Sequence, residues 1–193
     1  IPCYNEEQML PITAEALMKK MDRLISDGKI ASNSKVMFVD DGSKDKTWEI
    51  IQKLHTLNPM FTGLKLSRNK GHQNALLAGL MTAKSYADIL VSMDADLQDD
   101  IDAIDGFLEK RAEGCDIVYG VRSSREKDTA FKRGTAQAYY KLLAKLGVEI
   151  TYNHADYRLM SRRAVEALSE FKEVNLFLRG LVPMVGFKSD IVT

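Results

Sequence analysis

Two pairs of aspartates follow short apolar runs in this sequence. Asp40 and Asp41 come after one run, and Asp94 and Asp96 come after another. In an open α/β sheet, ligands bind beyond the carboxyl ends of the strands, and carboxylates gathered there repel one another unless a cation compensates. An Asp-x-Asp pair suits a hard divalent ion that keeps open positions for phosphate oxygens. The alternative is a structural role, because aspartate is common in turns and helix caps.

Basic side chains follow other predicted strands. Lys70 lies in the segment Arg68–Gly71, and Arg122 and Arg125 follow a later strand, so cations stand at the same predicted edge as the aspartates. Arginine offers bidentate contacts to phosphate oxygens. This mixture of charges favours a metal–phosphate complex. The alternative is that these are surface charges that happen to fall in loops.

A further acidic residue, Asp156, stands between two patterns that predict helices. Arg162 and Arg163 follow it within a few residues. An acid beside cations can orient or deprotonate an acceptor. The alternative is an aspartate that caps a helix or forms an ion pair.

The elements that would position these residues alternate along the chain. Short continuous apolar runs, typical of buried strands, occupy residues 36–39, 63–67, 89–93, 116–121 and 187–193. Apolar residues at helical spacing occupy residues 50–57, 75–83, 101–108, 130–146 and 161–171. Strands that are apolar on both faces and separated by helices predict an α/β domain with a mostly parallel sheet covered on both sides.

The formal net charge of zero conceals two opposed blocks. The chain has 193 residues, with 27 Lys+Arg and 27 Asp+Glu. This balance argues against a coat for nucleic acid, which needs surplus cations. Residues 94–116 hold 9 Asp/Glu against 2 Lys/Arg, whereas residues 122–145 hold 7 Lys/Arg against 2 Asp/Glu. The basic block overlaps the predicted helix 130–146, which either packs on the core with a solvated cationic face or lies on an anionic membrane surface.

Composition describes one ordinary globular domain. A hydrophobic content of 45% with 12 Gly and 4 Pro allows a sizeable core and excludes a disordered tail or a repeat array. Cys3 and Cys115 form no Cys-x-x-Cys pair, and the histidines at 55, 72 and 154 are not spaced as a metal set. Neither a disulfide framework nor a zinc site is indicated, and a reducing cytosol fits. We expect each histidine to be satisfied within the fold or exposed.

The two ends of the chain predict a piece of a longer protein. It begins at Ile1 on a turn-like Pro-Cys-Tyr-Asn and ends on a predicted strand, so we expect a truncated first strand. No run of about 18 apolar residues occurs, and no signal peptide opens the chain. We expect this piece to be soluble and the parent protein to be associated with a membrane.

Six motifs occur in an order that resembles a known enzyme family. They are Pro2-x-Tyr4-Asn5-Glu6, Val39-Asp40-Asp41-Gly42-Ser43-x-Asp45-x-Thr47, Arg68-Asn69-x-Gly71, Met93-Asp94-Ala95-Asp96-Leu97-Gln98-Asp99, Gly120-x-Arg122 and Ala155-Asp156-Tyr157-Arg158-Leu159. Together they resemble the family 2 inverting glycosyltransferases with a GT-A fold, in the group of dolichyl-phosphate mannose synthase and bactoprenyl (undecaprenyl-phosphate) glucosyltransferase. The resemblance implies one catalytic domain over residues 1–193, Rossmann-like, with helices on both faces of a mostly parallel central sheet and a membrane segment beyond it in the parent.

The resemblance also implies roles for individual residues. Positions that match the nucleotide-sugar-binding residues of the family are Pro2, Tyr4, Glu6, Asp40, Lys70, Asp94, Ala95, Asp96, Arg122 and Arg133. Positions that match its metal site, which usually holds Mg²⁺ or Mn²⁺, are Asp94, Asp96 and Gln98. Asp156 matches the catalytic base and Arg158 its neighbour, in a motif normally written Gly-Asp-Phe-Arg. This sequence departs mildly from that motif at Ala155 and Tyr157.

The activity implied is a metal-dependent, single in-line displacement at the anomeric carbon. The donor would be a UDP- or GDP-sugar, and the acceptor a polyprenyl phosphate at the cytoplasmic face of the membrane. Such an acceptor oxygen is already largely ionised near neutral pH, so Asp156 need not remove a proton and could position the acceptor instead. The resemblance leaves a homo-oligomer open and gives no role to nucleic acid.

Three alternatives have specific discriminating features. A family 2 enzyme acting on a sugar hydroxyl of a cell-surface glycan would usually carry Gln-x-x-Arg-Trp, but the single tryptophan here is Trp48. A phosphohydrolase with an aspartate nucleophile usually has Thr or Val where this chain has Gln98, and has no use for residues 2–6. A receiver-like regulatory domain would be shorter and would not need residues 122–158.

Overall fold

Strands and helices alternate through most of the chain. The computed structural model describes residues 1–121, 154–171 and 177–193, except for the side chains of 154 and 155. The strands in these ranges are β1 (Pro2–Cys3), β2 (Val36–Asp40), β3 (Phe61–Lys65), β4 (Ile89–Ser92), β5 (Ile117–Val121), β6 (His154–Ser161) and β7 (Ser189–Val192). The helices are α1 (Leu10–Ser26), α2 (Thr47–Leu57), α3 (His72–Ala83), α4 (Ala103–Ala112), α5 (Arg162–Leu168) and α6 (Leu178–Met184).

The first three strands form a parallel sheet in the order β1-β2-β3. Cys3 pairs with Asp40, and Asp40 pairs with Lys65. All three strands therefore end at one level, and the loops that follow them leave from the same edge of the sheet. This edge is where the sequence predicts a ligand site.

The remaining strands form a mixed sheet in the order β4-β6-β5-β7. Strand β6 runs antiparallel to both of its neighbours, whereas β5 and β7 are parallel. Among the described strands, three of the five pairings are parallel, in agreement with the prediction of a mostly parallel α/β architecture. Asp156, which the sequence places between two helical patterns, lies within strand β6, a strand that the sequence does not predict.

Helices cover both faces of the strands, as predicted. One buried cluster joins α1, α2 and α4 and includes Leu17, Ile51, Phe107, Val118 and Leu159. The other joins α3, α5 and α6 and includes Leu76, Ile117, Met160, Val165 and Leu178. Successive residues of β5 and β6 thus point into opposite clusters, since side chains alternate along a strand. Burial of each large apolar side chain stabilises the fold by about 1.5–3 kcal/mol.

Helix α3 lies close to strand β2 through its small residues. A Cβ atom added at Gly79 would lie 2.9 Å from Cγ2 of Val39, and Ala75 is fully buried. The four-residue spacing of Ala75, Gly79 and Ala83 in the sequence predicts this face of small residues. The close approach brings the first turn of α3 to the ligand edge of the sheet.

Other sequence-predicted elements shift by a few residues or lie outside the described ranges. The strand predicted at 63–67 is β3, which ends at Lys65, and the helix predicted at 161–171 is the shorter α5. The predicted basic helix 130–146 lies outside the described residues. Within the described part of the chain, no helix combines the length and the apolar character needed to span a membrane.

Two glycines with the same backbone angle provide a matched test of the turn after β2. Gly42 and Gly28 both have φ of +68°, but a Cβ at Gly42 would lie 2.5 Å from the carbonyl carbon of Arg68, whereas a Cβ at Gly28 meets nothing. Both substitutions by alanine carry the left-handed backbone cost of about 1–2 kcal/mol. We expect Gly42→Ala to cost about 1–3 kcal/mol more, because the loop must move.

Chemical denaturation of both variants measures this difference directly. Equal losses in the free energy of unfolding for Gly28→Ala and Gly42→Ala would contradict the close approach of the two loops.

Candidate functional site

The loop after β1 is held by side chains of the loop after β2. The backbone amides of residues 5–7 donate hydrogen bonds, in order, to Ser43 Oγ (2.9 Å), Thr47 Oγ1 (2.8 Å) and Asp45 Oδ2 (3.1 Å). Two bonds run in the opposite direction, from the amide of Lys44 to Asn5 Oδ1 at 2.9 Å and from the amide of Lys46 to Glu7 Oε2 at 3.0 Å. Several polar residues of the first two motifs therefore position the loops.

The neighbouring aspartates at the end of β2 have different surroundings. Asp40 is fully buried, its Oδ1 accepts the amide of Ser43 at 3.0 Å, and its Oδ2 has no hydrogen-bond partner. Asp41 accepts the amides of Lys70 (2.7 Å) and Gly71 (2.9 Å). Asp41 thus fixes the turn that leads into α3, and Asp40 keeps one acceptor oxygen unsatisfied, a state that costs free energy until a donor reaches it.

A cleft of about 290 Å³ opens where these loops meet. It is lined by Pro2, Cys3, Tyr4, Glu6, Asp41, Asn69, Gly71, His72, Ala75, Asp94, Ala95 and Asp96. Six of the predicted nucleotide-sugar residues are in this lining, namely Pro2, Tyr4, Glu6, Asp94, Ala95 and Asp96. The predicted Asp40, Lys70 and Gln98 are not, and Arg122 and Arg133 lie outside the described residues.

The Asp94–Asp96 loop gathers negative charge with Glu6. Burial raises the pKa of Glu6, and the carboxylates of Asp96, Asp45 and Asp94 raise it further. Asp96 Oδ1 accepts the amide of Gln98 at 3.0 Å, while the side chain of Gln98 is exposed. In the described part of the chain, no three acidic, histidine or cysteine side chains converge as a ready metal cage.

Two carboxylates nevertheless fit a cation that completes its coordination with water and phosphate oxygens. Mg²⁺ commonly binds through one or two carboxylates together with substrate phosphates. The mutual repulsion that raises the pKa of Glu6 is the charge excess that such a cation would offset. Asp94 and Asp96 are therefore suitable ligands on the chemistry of their side chains.

His72, at the start of α3, lies between Asp94, a predicted metal ligand, and Asp156. Its Nε2 lies 2.8 Å from Asp94 Oδ1, and its Nδ1 lies 3.8 Å from Asp156 Oδ2. The hydrogen bond to Asp94 raises the pKa of His72, and the charge of Asp156 raises it further, against the opposing effects of burial and of Arg179. The expectation that His72 is merely a satisfied or exposed histidine misses this bridging position.

Asp156 lies at the centre of a cluster of donors. Its Oδ1 is in an ion pair with Nη2 of Arg158, and its Oδ2 accepts Nε2 of Gln73 at 2.9 Å and Nη2 of Arg179 at 3.3 Å. The Ser92 hydroxyl donates to its backbone carbonyl at 2.5 Å. The predicted catalytic pair Asp156 and Arg158 is thus adjacent in space, and Gln73 and Arg179 are partners that sequence reasoning misses.

The strand register explains why the two acidic sites meet. In the antiparallel pairing of β4 with β6, Ser92 lies opposite Arg158, so the continuation of β4 brings Asp94 toward Asp156. His72 contacts both of these carboxylates. The structure thus brings Asp156 close to Asp94, a convergence that the sequence does not predict.

Comparison with known proteins identifies the family of the chain that carries this site. The model of the family described as "Glycosyl transferase family 2" matches residues 1–169. The chain belongs to glycosyl transferase family 2. The phosphohydrolase and receiver-like alternatives are thereby set aside, and the predicted membership of a glycosyltransferase family is confirmed.

Curated relatives match the whole chain but extend well beyond it. A Bacillus subtilis protein, described as the uncharacterized glycosyltransferase YkoT, is 55% identical over 98% of this chain and 56% of its own length. The bactoprenol glucosyl transferase of Shigella phage SfV is 37% identical over 100% of this chain and 60% of its own length. The chain therefore spans less than two thirds of these relatives.

Solved structures share the fold at low sequence identity. The mannosyltransferase PcManGT from Pyrobaculum calidifontis, in complex with GDP-Man and Mn²⁺, has a TM-score of 0.58 at 18% identity, over 99% of this chain and 52% of that one. The glucosyl-3-phosphoglycerate synthase of Mycobacterium tuberculosis has a TM-score of 0.62 at 18% identity, over 98% and 67%. These neighbours confirm the predicted GT-A fold.

The bridge between His72 and Asp94 predicts a specific response to substitution. In metal-free buffer, we expect NMR titration to place the pKa of His72 above its ordinary value of about 6.5, and Asp94→Asn to lower it. Protonated His72 would then stabilise the fold at pH below its unfolded pKa, and that contribution would fade as the pH rises through the folded pKa.

A matched control for this titration is Asp88→Asn at the opposite end of β4. Its carboxylate is almost fully exposed and pairs with Arg162. A titration of His72 that is equally changed by both substitutions, or by neither, would contradict the bridge.

Proposed function

We propose that this domain transfers a hexose from a UDP- or GDP-sugar to a polyprenyl phosphate, with a divalent cation, at the cytoplasmic face of the membrane. The observation that carries the proposal is the union, at one sheet edge, of the Asp94–Asp96 pair with the charged cluster around Asp156. The bactoprenol glucosyl transferases among the relatives support the lipid phosphate as acceptor. The alternative acceptor is a sugar hydroxyl of a cell-surface glycan.

The donor would occupy the cleft between the loops of β1 and β4. Tyr4 is 39% exposed, so its ring offers a face on which a nucleotide base could stack. Solved neighbours contain UDP-GlcNAc and GDP-Man, which supports a nucleoside diphosphate in this cleft. Glu6 would accept hydrogen bonds from the nucleotide's ring or ribose donors.

Asp94 and Asp96 would hold Mg²⁺ or Mn²⁺ together with the diphosphate. For Gln98 to bind the cation as well, its exposed side chain would have to turn toward the cleft. When bound, the cation would neutralise the charge that develops on the leaving diphosphate. Mn²⁺ in two of the solved neighbours supports this choice of ion. His72 would have to yield its hydrogen bond with Asp94 as that carboxylate becomes a ligand.

Asp156 would position the acceptor and need not act as a base. Arg158, Gln73 and Arg179 all donate to its two oxygens, which leaves little capacity to accept a substrate proton. A phosphate oxygen of the acceptor carries negative charge already and would attack the anomeric carbon directly. The bond from that carbon to the diphosphate would break on the opposite side, so the configuration would invert.

Removal of one metal-type carboxylate should abolish transfer. We expect Asp96→Asn to reduce sugar transfer from UDP-glucose or GDP-mannose by at least about 100-fold, which corresponds to about 2.7 kcal/mol of transition-state stabilisation. EDTA should inhibit the wild-type protein to a similar extent, and Mg²⁺ or Mn²⁺ should restore it.

The matched control is Asp88→Asn, which removes the same charge at the opposite end of β4. It should retain wild-type transfer. Full activity of Asp96→Asn in excess EDTA would overturn the metal assignment.

The acceptor is tested with the full-length protein in membranes. Labelled UDP- and GDP-sugars are supplied with undecaprenyl phosphate, and lipid-extractable label is measured. We expect the label to enter a product that mild acid releases as free sugar, as for a sugar phosphodiester. Label found only on a glycan hydroxyl would instead assign the alternative acceptor.

A further inference from the structure

Arg179 is a half-exposed cation that lies outside the six sequence motifs. It lies in α6, where its side chain is 47% exposed while its Nη2 lies 3.3 Å from the buried Asp156 Oδ2. We propose that Arg179 binds the phosphate monoester of the acceptor and that Asp156 positions it for this task. This inference rests on the proposed function and names the acceptor seat within the same site.

The guanidinium of Arg179 has donors to spare. Arg163, in comparison, places both Nε and Nη2 on the carboxylate of Asp116. Arg179 makes one contact through one nitrogen, and no further hydrogen-bond partner occurs among the described residues. Its remaining nitrogens can therefore form the paired contacts that arginine makes with phosphate oxygens.

The charge at this end of the site favours an anion. Two guanidinium groups, from Arg158 and Arg179, face the single carboxylate of Asp156. Arg158 is 1% exposed, and its Nε and Nη1 have no hydrogen-bond partner. A buried cation with unsatisfied donors beside a second arginine leaves a positive excess, which an incoming phosphate would neutralise.

Helix α6 is anchored so that Arg179 stays at the site. Gln73 accepts the amide of Leu178 through Oε1 at 3.1 Å and donates to Asp156 through Nε2. One side chain of α3 therefore joins the start of α6 to the carboxylate that contacts Arg179. A displacement of α6 would break the bond from Leu178 to Gln73 and the contact of Arg179 with Asp156, so the position of Arg179 is specified by the fold.

Exposed apolar side chains at both ends of α6, the helix that carries Arg179, favour a lipid-linked phosphate over a free one. Phe177 is 46% exposed and Met184 is 62% exposed, at the two ends of α6. The ring of Phe177 lies against Gly180, where an added Cβ would come within 2.6 Å of it. A phosphate on Arg179 would thus have exposed apolar surface on the same short helix, available to the isoprene units of its lipid.

Binding of acceptor analogues to the full-length protein in detergent, without nucleotide sugar, tests the proposed phosphate-binding site at Arg179. The probes are farnesyl phosphate, farnesol and inorganic phosphate. We expect Arg179→Ala to weaken farnesyl phosphate binding by about tenfold or more, the usual size for loss of a charge-assisted contact, and to leave farnesol binding unchanged. The farnesyl phosphate affinity of Arg179→Lys should lie between those of the wild type and Arg179→Ala, because lysine keeps the positive charge but cannot form the bidentate contact.

The matched control is Arg162→Ala, which removes another half-exposed arginine that pairs with one carboxylate, Asp88. It should bind farnesyl phosphate as the wild type does. In sugar-transfer assays, Arg179→Ala should raise KM for the acceptor and leave KM for the nucleotide sugar unchanged.

Three results would overturn the proposal. The first is an equal loss of farnesyl phosphate binding in Arg162→Ala and Arg179→Ala. The second is an equal loss of farnesol and farnesyl phosphate binding in Arg179→Ala. The third is competition by inorganic phosphate at concentrations equal to those of farnesyl phosphate, which would assign this binding site to free phosphate. Failure of the proposed function would give a result different from failure of the proposed role of Arg179. In that case farnesyl phosphate would bind through Arg179, yet no sugar would be transferred to it.

Discussion

Asp156 and Arg158 face each other inside the mixed sheet with 3% and 1% of their side chains exposed, and most of the site is arranged around the donors that this carboxylate needs. Removal of two charges from water is expensive, and attraction between them repays it only when further hydrogen bonds satisfy the remaining groups. Gln73 and Arg179 supply those bonds to the carboxylate. The requirement brings α3, β6 and α6 together at one point.

The same requirement explains why His72 stands where it does. Asp94 and Asp156 approach each other through the antiparallel pairing of β4 and β6, and two carboxylates this close repel unless a donor lies between them. His72 provides that donor from the first turn of α3. The imidazole of His72 thus connects the Asp94–Asp96 pair with the cluster of arginines around Asp156.

Sequence reasoning predicts the parts of this fold that depend on local pattern. Apolar runs and helical spacing predict β2, β4, β5 and the helices around them, and the shared edge of parallel strands predicts that the aspartate pairs converge. Strand β6 escapes prediction because Asp156 and Arg158 interrupt its apolar run with buried charges. Nothing local distinguishes Asp41, which lines the cleft, from Asp40, which does not, although both are buried. Successive side chains at the end of a strand point in opposite directions, and the neighbouring elements decide which one faces the cleft.

The remaining omissions are contacts between distant parts of the chain. Gln73 reaches Asp156 across 83 positions and Leu178 across 105, and such pairs leave no periodic signal. Conversely, Ser43, Asp45 and Thr47 belong to recognisable motifs, but their side chains hold the neighbouring loop. Motif membership alone therefore does not separate residues that touch a substrate from residues that hold the backbone around it.

The cross-linked loops after β1 and β2 have a consequence for how a nucleotide would be selected. Their backbone amides are already committed to side chains of the facing loop, so a ligand would meet a wall whose shape exists before it arrives. Little conformational entropy would then be lost there on binding. Discrimination between bases would come from mismatch with a preformed surface, and a poorly fitting base could not be rescued by local rearrangement.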